Sequence, residues 1–328
     1  MHKAAIVAFP GCYASSMGGF ADVLQVANAH LRQQHGENAK LFQWSFVSVS
    51  GESVRTSNGL LVETGRLDPR TKYGLVFIPS FHYSGRADFE KLLKTQTTLR
   101  SWLTSQWNNG AWVAANCTGT FILAETGLLD GRVATTTWWL QRQFRSRFPR
   151  VDLQLDPVVT EADRLVCAGA YASYLLQAIR VIERFSGPVI ASLSAKTMLI
   201  DVSQTTQTPH LPLLSDKSHG DSMVHKAQHR LQKHMARDLR IVDLAAELNV
   251  SERTLIRRFK AALDQTPLSY LQSLRLDAAR SLLEAGDLTV EGVAQRVGYA
   301  DTSSFSRLFR EKIGLSPGAY RMRFRTSS

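Results

Sequence analysis

The sequence predicts two folded parts of different class. The first is an α/β part, a parallel sheet with helices on both faces, and the second is an all-α part with two helix-turn-helix units. Two observations carry this prediction. Over roughly the first 190 residues, short apolar runs alternate with amphipathic stretches, as expected for repeated strand and helix pairs. The last hundred residues contain only helical patterns, and one of those patterns occurs twice.

The α/β part begins with a strand and ends with a pair of helices. Short apolar runs predict strands at 4–9, 75–78, 112–115 and 165–168, and the alternating pattern of 42–49 predicts another. Helices are predicted at 20–34, 89–107, from 119 through 125, at 172–185 and at 189–200. Gly187-Pro188 separates the last two helices, since neither residue continues a helix well.

Three loops follow strands in this part and predict a ligand crevice. They are 10–19, 79–86 and 116–120, and in parallel sheets the crevice lies beyond the carboxyl ends of the strands. Cys117 lies on the third loop, at a tight turn from strand to helix, where a helix start aims its N–H groups at a bound group. We expect a pocket cysteine there; the alternative is a buried structural cysteine.

The stretch 288–321 predicts two helices joined by a turn. Thr289 caps the first helix, and Gly298 ends it. Asp301 caps the second helix, whose inner face is Phe305, Leu308 and Phe309. Its outer face consists of Thr302, Ser303, Ser306, Arg307 and Arg310. Short hydroxyls and guanidinium groups hydrogen-bond to base edges and phosphates, so this face predicts DNA contact. The alternative is an ordinary solvated helix.

A second copy upstream decides against that alternative. Leu255, Arg257, Pro267 and Tyr270 match Phe305, Arg307, Pro317 and Tyr320 at an offset of 50 residues. Ser251 caps the recognition helix of this copy. We predict DNA contacts from Arg253, Thr254, Arg257, Arg258 and Lys260, with Arg258 reaching phosphate. The first recognition helix therefore favours phosphate contact, and the second favours base reading.

Composition agrees with a polyanionic partner without locating its site. The 328 residues carry a net charge of +11, of which residues 221–328 contribute +6, from 18 Lys and Arg against 12 Asp and Glu. Three separated cysteines fit a reducing cytosol, and we expect no signal peptide or membrane span. No histidine spacing suits a metal, and no cofactor is expected.

Residues 221–325 resemble the AraC/XylS family of bacterial transcription regulators. The motifs that carry the resemblance are Val293-Ala294, Gly298-Tyr299, Ser304-Phe305-Ser306-Arg307, Phe309-Arg310, Gly314, Ser316-Pro317 and Tyr320-Arg321. Residues 1 to about 190 resemble the ThiJ/PfpI, or class I glutamine amidotransferase-like, fold. There the matching motifs are Asn116-Cys117-Thr118-Gly119, 127–132 and Ala134-Thr135-Thr136. A GlxA-like subgroup joins both parts. The resemblance implies a flavodoxin-like sheet and a DNA-binding regulator.

The residues argue against catalysis. Catalytic relatives commonly have histidine after the elbow cysteine, where this sequence has Thr118. Relatives among the regulators often have histidine at the position of Thr137. His82 could still reach Cys117 as a base. We expect a sensor instead, with effector contacts from Ser15, Ser16, His82, Tyr83, Cys117, Thr118 and Trp138, and with Tyr171 nearby. Phe81, Tyr83, Trp138 and Trp139 suggest an aromatic box for an amino acid or quaternary amine; the alternative is that the tryptophans are core.

The organisation expected is a sensor domain at 1–200, a linker at 201–221 and a DNA-binding domain at 222–328. The function expected is a cytoplasmic, nucleoid-associated transcription regulator, an activator that contacts RNA polymerase and binds promoter DNA as a homodimer. The alternative is a cysteine amidase or hydrolase fused to a DNA-binding domain.

Overall fold

The computed structural model describes residues 1–211, 213, 219–237 and 239–325. By its internal contacts the chain divides into two compact units, Met1–Gln207 and Thr208–Ser328. The division falls inside the segment predicted as the linker, of which residues 212 and 214–218 lie outside the described residues. Each unit is described by itself below.

The first unit is built on a seven-stranded sheet. The strands, in chain order, are β1 His2–Val7, β2 Phe42–Ser48, β3 Val54–Arg55, β4 Leu61–Val62, β5 Gly65–Arg66, β6 Leu75–Ile78, β7 Trp112–Asn116, β8 Val133–Ala134, β9 Asp152–Leu153, β10 Val159–Ala162 and β11 Leu165–Ala168. The main sheet has the order β10-β11-β7-β6-β1-β2-β5. All its pairs are parallel except β10 with β11. β3 with β4, and β8 with β9, form two small separate sheets.

Helices cover this sheet. They are α1 Ala14–His35, α2 Arg86–Thr95, α3 Thr97–Asn108, α4 Gly119–Ala124, α5 Gln141–Arg147 and α6 Tyr174–Thr197. α1 packs along α6, and α3 and α4 pack near β7. The buried strands β6 and β11 are apolar throughout, which explains why a parallel sheet covered on both faces was readable from the sequence.

One predicted helix is divided in the structure, and one predicted break between helices is present. The predicted helix 89–107 is two helices, α2 and α3, which meet at Gln96. The predicted break at Gly187-Pro188 is confirmed: α6 consists of two helical segments that meet at a kink, where Gly187 takes φ +84°. The edge strands β5 and β10 had no clear apolar signal, because edge strands bury less of their surface.

The second unit is helical and has two cores. Its helices are α7 Ser222–Lys233, α8 Ile241–Glu247, α9 Glu252–Leu263, α10 Pro267–Ala285, α11 Val290–Arg296, α12 Thr302–Ile313 and α13 Pro317–Phe324. One core lies around α7, α8 and α9, and the other around α11, α12 and α13. α10 belongs to both: Leu271 and Leu274 enter the first core, and Leu276, Ala279 and Leu283 enter the second.

Within the described residues, no helix is long and apolar enough to span a membrane. No group of three or more possible metal-ligating side chains occurs in those ranges either. Cys12, Cys117 and Cys167 are all buried and free.

Candidate functional site

The second helix-turn-helix unit consists of α11 and α12. The Thr289 hydroxyl accepts a hydrogen bond from Gly292 N at 3.0 Å and so caps α11. Asp301 caps α12, accepting from Ser303 N at 3.1 Å and from Ser304 N at 2.8 Å. Hydrogen bonds from Ser304 and Ser303 hold the pKa of Asp301 below its ordinary value. The N-termini of both helices are therefore capped by side chains that the sequence had indicated.

Gly298 makes the turn between α11 and α12 possible. Its φ is +92°, a conformation that strains any residue with a Cβ. A Cβ built there would lie 2.8 Å from the carbonyl oxygen of Ala236, in the loop after α7. The glycine thus serves two needs, the left-handed turn and a close backbone approach.

The outer face of α12 is polar and basic. Phe305, Phe309 and Ile313 are fully buried beneath it. Ser303, Arg307 and Arg310 are exposed, and Thr302 and Ser306 are half-buried beside them. Leu308, predicted on the inner face, is only half-buried. In the part of the chain that the structure describes, neither Arg307 nor Arg310 has an ion pair with a carboxylate. Their guanidinium groups are therefore available to base edges or phosphates.

The first helix-turn-helix unit, formed by α8 and α9, repeats this arrangement with a more basic outer face. Ser251 caps α9 by accepting from Thr254 N at 3.2 Å, and its hydroxyl also bonds that of Thr254 at 2.9 Å. Arg253, Arg257 and Lys260 are exposed along one side of α9. Thr254, predicted as a DNA contact, is half-buried and engaged in the cap.

Arg258 differs from the other predicted DNA contacts. Its Nε lies 2.7 Å from Asp221 Oδ2 and its Nη2 lies 2.5 Å from Asp221 Oδ1, a two-pronged ion pair. The sequence placed this side chain on phosphate. In the structure its guanidinium has a carboxylate partner instead, so a phosphate contact would require that pair to open.

In the α/β unit, Met1–Gln207, Cys117 occupies the predicted elbow between β7 and α4. Its φ of +53° is the strained conformation typical of such turns. Gly119 allows the tight packing that follows, since a Cβ there would lie 2.6 Å from the carbonyl oxygen of Pro79. The Thr118 hydroxyl accepts from Phe81 N at 2.7 Å and donates to Phe81 O at 2.9 Å. Thr118 therefore ties the elbow to the loop after β6, and the chain itself uses its hydroxyl.

The thiol at the elbow is covered. Cys117 is only 2% exposed, and burial raises its pKa to about 12. Its side chain is consequently a neutral thiol near pH 7, which is a poor nucleophile. The cysteine that we predicted to line a pocket is therefore buried, as in the structural alternative.

Aromatic side chains form the rim above the elbow. Tyr13 Oη lies 3.1 Å from His82 Nδ1, and the Tyr13 ring meets the Tyr171 ring edge-on at 4.9 Å. Ser15 hydrogen-bonds the Tyr171 hydroxyl. Ser16 is fully buried and donates to the carbonyl oxygen of Tyr13 at 3.0 Å. A hollow of about 340 Å³ opens beside His82, and Cys117 does not line it.

The aromatic box does not assemble as predicted. Phe81 is buried and stacks on Phe89 with ring centroids 5.2 Å apart, and Tyr83 packs against the same ring. Trp138 meets Trp139 edge-on at 5.3 Å, with Trp139 exposed. Among the described residues, neither the Phe81 ring nor the Tyr83 ring contacts Trp138 or Trp139.

The sequence analysis did not predict a groove on the α/β unit, Met1–Gln207. Its volume is about 630 Å³, and both halves of the kinked α6, β10 and residues 199–205 line it. Leu199, with φ +53°, and Val202 are exposed at its edge. The break at Gly187-Pro188 was the only local signal, because the groove depends on contacts between distant parts of the chain.

Two family models match this chain. The DJ-1/PfpI family matches residues 18–179, and a helix-turn-helix domain matches residues 244–323. The first covers the elbow at Cys117 and the loop after β6, and the second covers both recognition helices.

Curated relatives match across both units. The HTH-type transcriptional regulator CdhR of Pseudomonas aeruginosa is 31% identical over 289 residues, which cover 88% of this chain and 84% of that protein. The HTH-type transcriptional regulator GbdR of Pseudomonas aeruginosa is 24% identical over 85% of this chain and 74% of its own length. Among solved structures, DJ-1beta of Drosophila melanogaster matches 61% of this chain and 98% of its own, with 19% identity and a TM-score of 0.50; this likeness concerns the fold alone.

Proposed function

This chain belongs to the AraC-type transcriptional regulators that carry a DJ-1/PfpI domain, so it is a DNA-binding regulator, and from that premise we propose how its two recognition helices divide the contacts with DNA. α12 reads base edges through Ser303, Ser306 and Arg307, with Thr302 and Arg310 at its borders. α9 contacts phosphates through Arg253, Arg257 and Lys260. The observation that carries this is the exposed outer face of α12, where two arginines stand beside hydroxyls and have no carboxylate partner among the described residues.

The division follows from side-chain chemistry. Arginine binds guanine with two hydrogen bonds, and serine bonds bases of either kind, so a mixed face distinguishes sequences. A face of three cations with little else attracts phosphate regardless of sequence. Since α10 joins the two cores, the two helices contact successive segments of the major groove, about one helical turn apart.

Selection from a random DNA library with the full chain tests this division. We expect a bound site with one strongly preferred segment, contacted by α12, and a weakly preferred segment about ten base pairs away. Arg307→Ala should change the preferred bases. Lys312→Ala is the matched control, because Lys312 is exposed on the same helix and already pairs with Glu311 at 3.0 Å. Selected sites with two equally strong segments would contradict the division.

We infer that the elbow does not catalyse. The supporting observations are the neutral thiol of Cys117, the hydroxyl of Thr118 engaged by Phe81, and the Tyr13 hydroxyl beside His82. Iodoacetamide tests this directly: wild type at pH 7 to 9 should react no faster than Cys117→Ala. Rapid alkylation that Cys117→Ala abolishes, or turnover of an amide substrate that depends on Cys117, would favour the hydrolase alternative.

We propose that a small effector binds the first unit at the crevice rim, where Ser15, His82 and Tyr171 meet. Ser16, Cys117 and Thr118 support the rim from below. Tyr83 and Trp138 remain candidates at its borders. An amino acid or quaternary amine suits the aromatic rim, because a cation is attracted to ring faces. A thermal-shift screen of the full chain with amino acids and betaines tests this, since a ligand of the native state raises the melting temperature.

Two variants locate such a ligand. Tyr171→Ala should remove the shift if the rim binds it, whereas Ala191→Trp fills the groove along α6 and should leave the shift intact. The reverse pattern would place the effector in the groove. A shift that persists in both variants would contradict either site.

We further propose that the regulator activates transcription as a homodimer in contact with RNA polymerase, and that it resides on the nucleoid in the cytoplasm. Light scattering of the full chain should give twice the mass of one chain. In vitro transcription from a selected site should rise when the protein is added. A monomeric mass, or repression, would contradict the corresponding part.

A further inference from the structure

A buried glutamine at the end of the α/β unit is bonded to two loops of the crevice. Gln207 is 3% exposed and is the last residue of that unit. Its Oε1 accepts from Ala170 N at 3.2 Å, and its Nε2 donates to Thr135 Oγ1 at 3.1 Å. Nε2 also donates to the carbonyl oxygen of Pro157 at 3.3 Å. The amide is therefore bonded at both of its ends, by partners that lie 37 to 72 residues earlier in the chain.

A glycine provides the space for this amide. A Cβ built on Gly169 would lie 2.3 Å from both Nε2 and Oε1 of Gln207, far inside van der Waals contact. Gly169 N donates to the carbonyl oxygen of Val158 at 2.9 Å, so the glycine cannot move aside without losing a hydrogen bond. The absence of a side chain at position 169 and the amide at position 207 thus fit each other.

The turn after β11 carries Tyr171 to the crevice rim. Two buried amides hold this turn: that of Gln207 through Ala170 N, and that of Asn116, which precedes the elbow cysteine. In the orientation that its neighbours require, the Asn116 amide donates to the carbonyl oxygen of Tyr171 and accepts from Tyr174 N, each at 3.2 Å. The position of Tyr171 at the rim therefore depends on both amides.

The chain just before the end of the α/β unit is fastened beside β10. We call residues 203–207 the exit segment, because the peptide bond after Gln207 leads into the helical unit. Val158 N donates to the carbonyl oxygen of Thr205 at 3.0 Å, and Gln207 N donates to that of Asp156 at 2.8 Å. An antiparallel bridge lies between these two bonds. The backbone of the exit segment is thus held along its length, and the side chain of Gln207 joins it to the crevice loops.

We propose that Gln207 is a positioning residue of the effector site and couples that site to the exit segment. Its amide holds Tyr171 in place through Ala170, so a ligand that binds the rim favours the bonded state of the amide. Such coupling is reciprocal: the factor by which the bonded amide strengthens ligand binding is the factor by which the ligand strengthens the bonding. The inference rests on the proposed effector site and adds its regulation, because ligand binding tightens the attachment of the chain that continues to Thr208.

Hydrogen exchange of the full chain, read by mass spectrometry without ligand, tests the coupling in both directions. Gln207→Met keeps the length of the side chain and removes its hydrogen bonds, so peptides covering 168–174 should exchange about tenfold faster than in wild type. Tyr171→Ala should speed exchange to a similar extent in peptides that contain the amides of Val158 and Gln207. The first change is made at the exit segment and read at the rim, and the second is made at the rim and read at the exit segment.

A matched control and a second way to displace the amide make the result specific. Gln154 is exposed on the same unit and donates to Asp152 Oδ2 at 3.1 Å, and Gln154→Met should leave both groups of peptides unchanged. Gly169→Ala should reproduce the effect of Gln207→Met, because the added Cβ displaces the amide. In combination with Gln207→Ala, which vacates that space, Gly169→Ala should add little further.

Glycine betaine is the probe for ligand coupling, because it combines a carboxylate with a quaternary ammonium group. It is added well below the concentrations at which osmolytes stabilise proteins in general. It should raise the melting temperature of wild type and slow exchange at the amides of Val158 and Gln207. Gln207→Met should bind it about tenfold more weakly. A residue that served only the stability of the unit would lower the melting temperature without changing the affinity for the probe.

The outcomes separate the coupling from the effector site. Exchange at Val158 and Gln207 that is indifferent to Tyr171→Ala, or an affinity for glycine betaine that is unchanged in Gln207→Met, would overturn the proposal. Should wild type bind neither glycine betaine nor another compound of the thermal-shift screen, the proposed effector site is wrong for these ligands, and exchange in Tyr171→Ala still decides the coupling. Should Gln207→Met fail to fold, Thr135→Ala, which removes one bond of the amide, decides the question by the same readouts.

Discussion

The two helix-turn-helix units share a scaffold and differ in what they expose. Each has a buried aromatic pair, Phe259 with Tyr270 and Phe309 with Tyr320, and each has a side-chain cap on its recognition helix. The exposed faces have diverged: α9 presents cations, and α12 presents hydroxyls with arginines. Repeated cores with unlike surfaces indicate that packing sets the fold while the outer face sets the contact.

The turns of the two units differ in how much they can change. The first turn contains Asn249 at φ +55°, which asparagine tolerates. The second contains Gly298 at φ +92°, packed against Ala236, and has one more residue before its cap. The turn of the second helix-turn-helix unit therefore requires glycine at position 298.

The largest expected effect is at that turn. Gly298→Ala should lower the free energy of unfolding by about 3 kcal/mol, because left-handed strain and a close contact with Ala236 add together. Asn249→Gly should stay within about 1 kcal/mol of wild type. Urea unfolding of the full chain followed by circular dichroism measures both. Equal losses at the two turns would show that the second turn is no more constrained than the first.

The next largest effects should be on DNA binding, where the outer faces of α9 and α12 are expected to contribute differently. Arg307→Ala should cost about 1–3 kcal/mol of specific binding and change the preference at one base position. Arg257→Ala should weaken binding to all sequences alike and reduce the slope of log affinity against log salt by about 1. Fluorescence anisotropy at several salt concentrations measures both quantities.

Lys312→Ala and a scrambled duplex are the controls for that pair. The proposed difference between α9 and α12 would be contradicted if Arg257→Ala changed the base preference. It would also be contradicted if Arg307→Ala weakened binding to the scrambled duplex as much as to the selected site. Either result would mean that the faces read DNA in the same manner.

The smallest expected effect concerns the caps. Ser251→Ala should cost about 1 kcal/mol at any pH, since its hydroxyl does not titrate in this range. Asp301→Ala should destabilise the protein near neutral pH and progressively less in acid. Because its folded pKa lies below the ordinary 3.8, the stabilisation is present above 3.8 and is lost as the pH falls through the lowered value.

Thermal unfolding of both variants from pH 7 to pH 3 measures this difference. Parallel melting curves for the two variants across the whole range would contradict the role of the Asp301 charge.

Much of the DNA-binding unit was predictable because its signals are local. Thr289 and Asp301 cap helices within three residues of their own positions, and the left-handed turn at Gly298 is local too, although its close approach to Ala236 is not. The start of α10 also has a local signal, since Thr266 and Pro267 are a cap and a first-turn proline. The partner of Arg258 could not be read, since Asp221 lies 37 residues away.

The crevice was harder to predict because its state depends on distant contacts. The elbow at Cys117 followed from the strand and helix around it, but the burial of its thiol depends on the packing around it. Phe81 was placed in an aromatic box because it is aromatic and on a loop; packing on Phe9 and Phe89 removes it to the core. The sequence pattern predicts where the loop lies, but tertiary packing decides which of its side chains are buried and which line an open crevice.

The shared helix α10 has a consequence for how such a regulator can change its target. Its 19 residues span about 28 Å, and one inserted residue would turn everything after it by about 100°. The bases contacted can change by single substitutions on α9 or α12. The rotational phase between the two contacted segments is instead set by the residue count of one helix, and the smallest change that preserves this phase is a whole turn, about three or four residues.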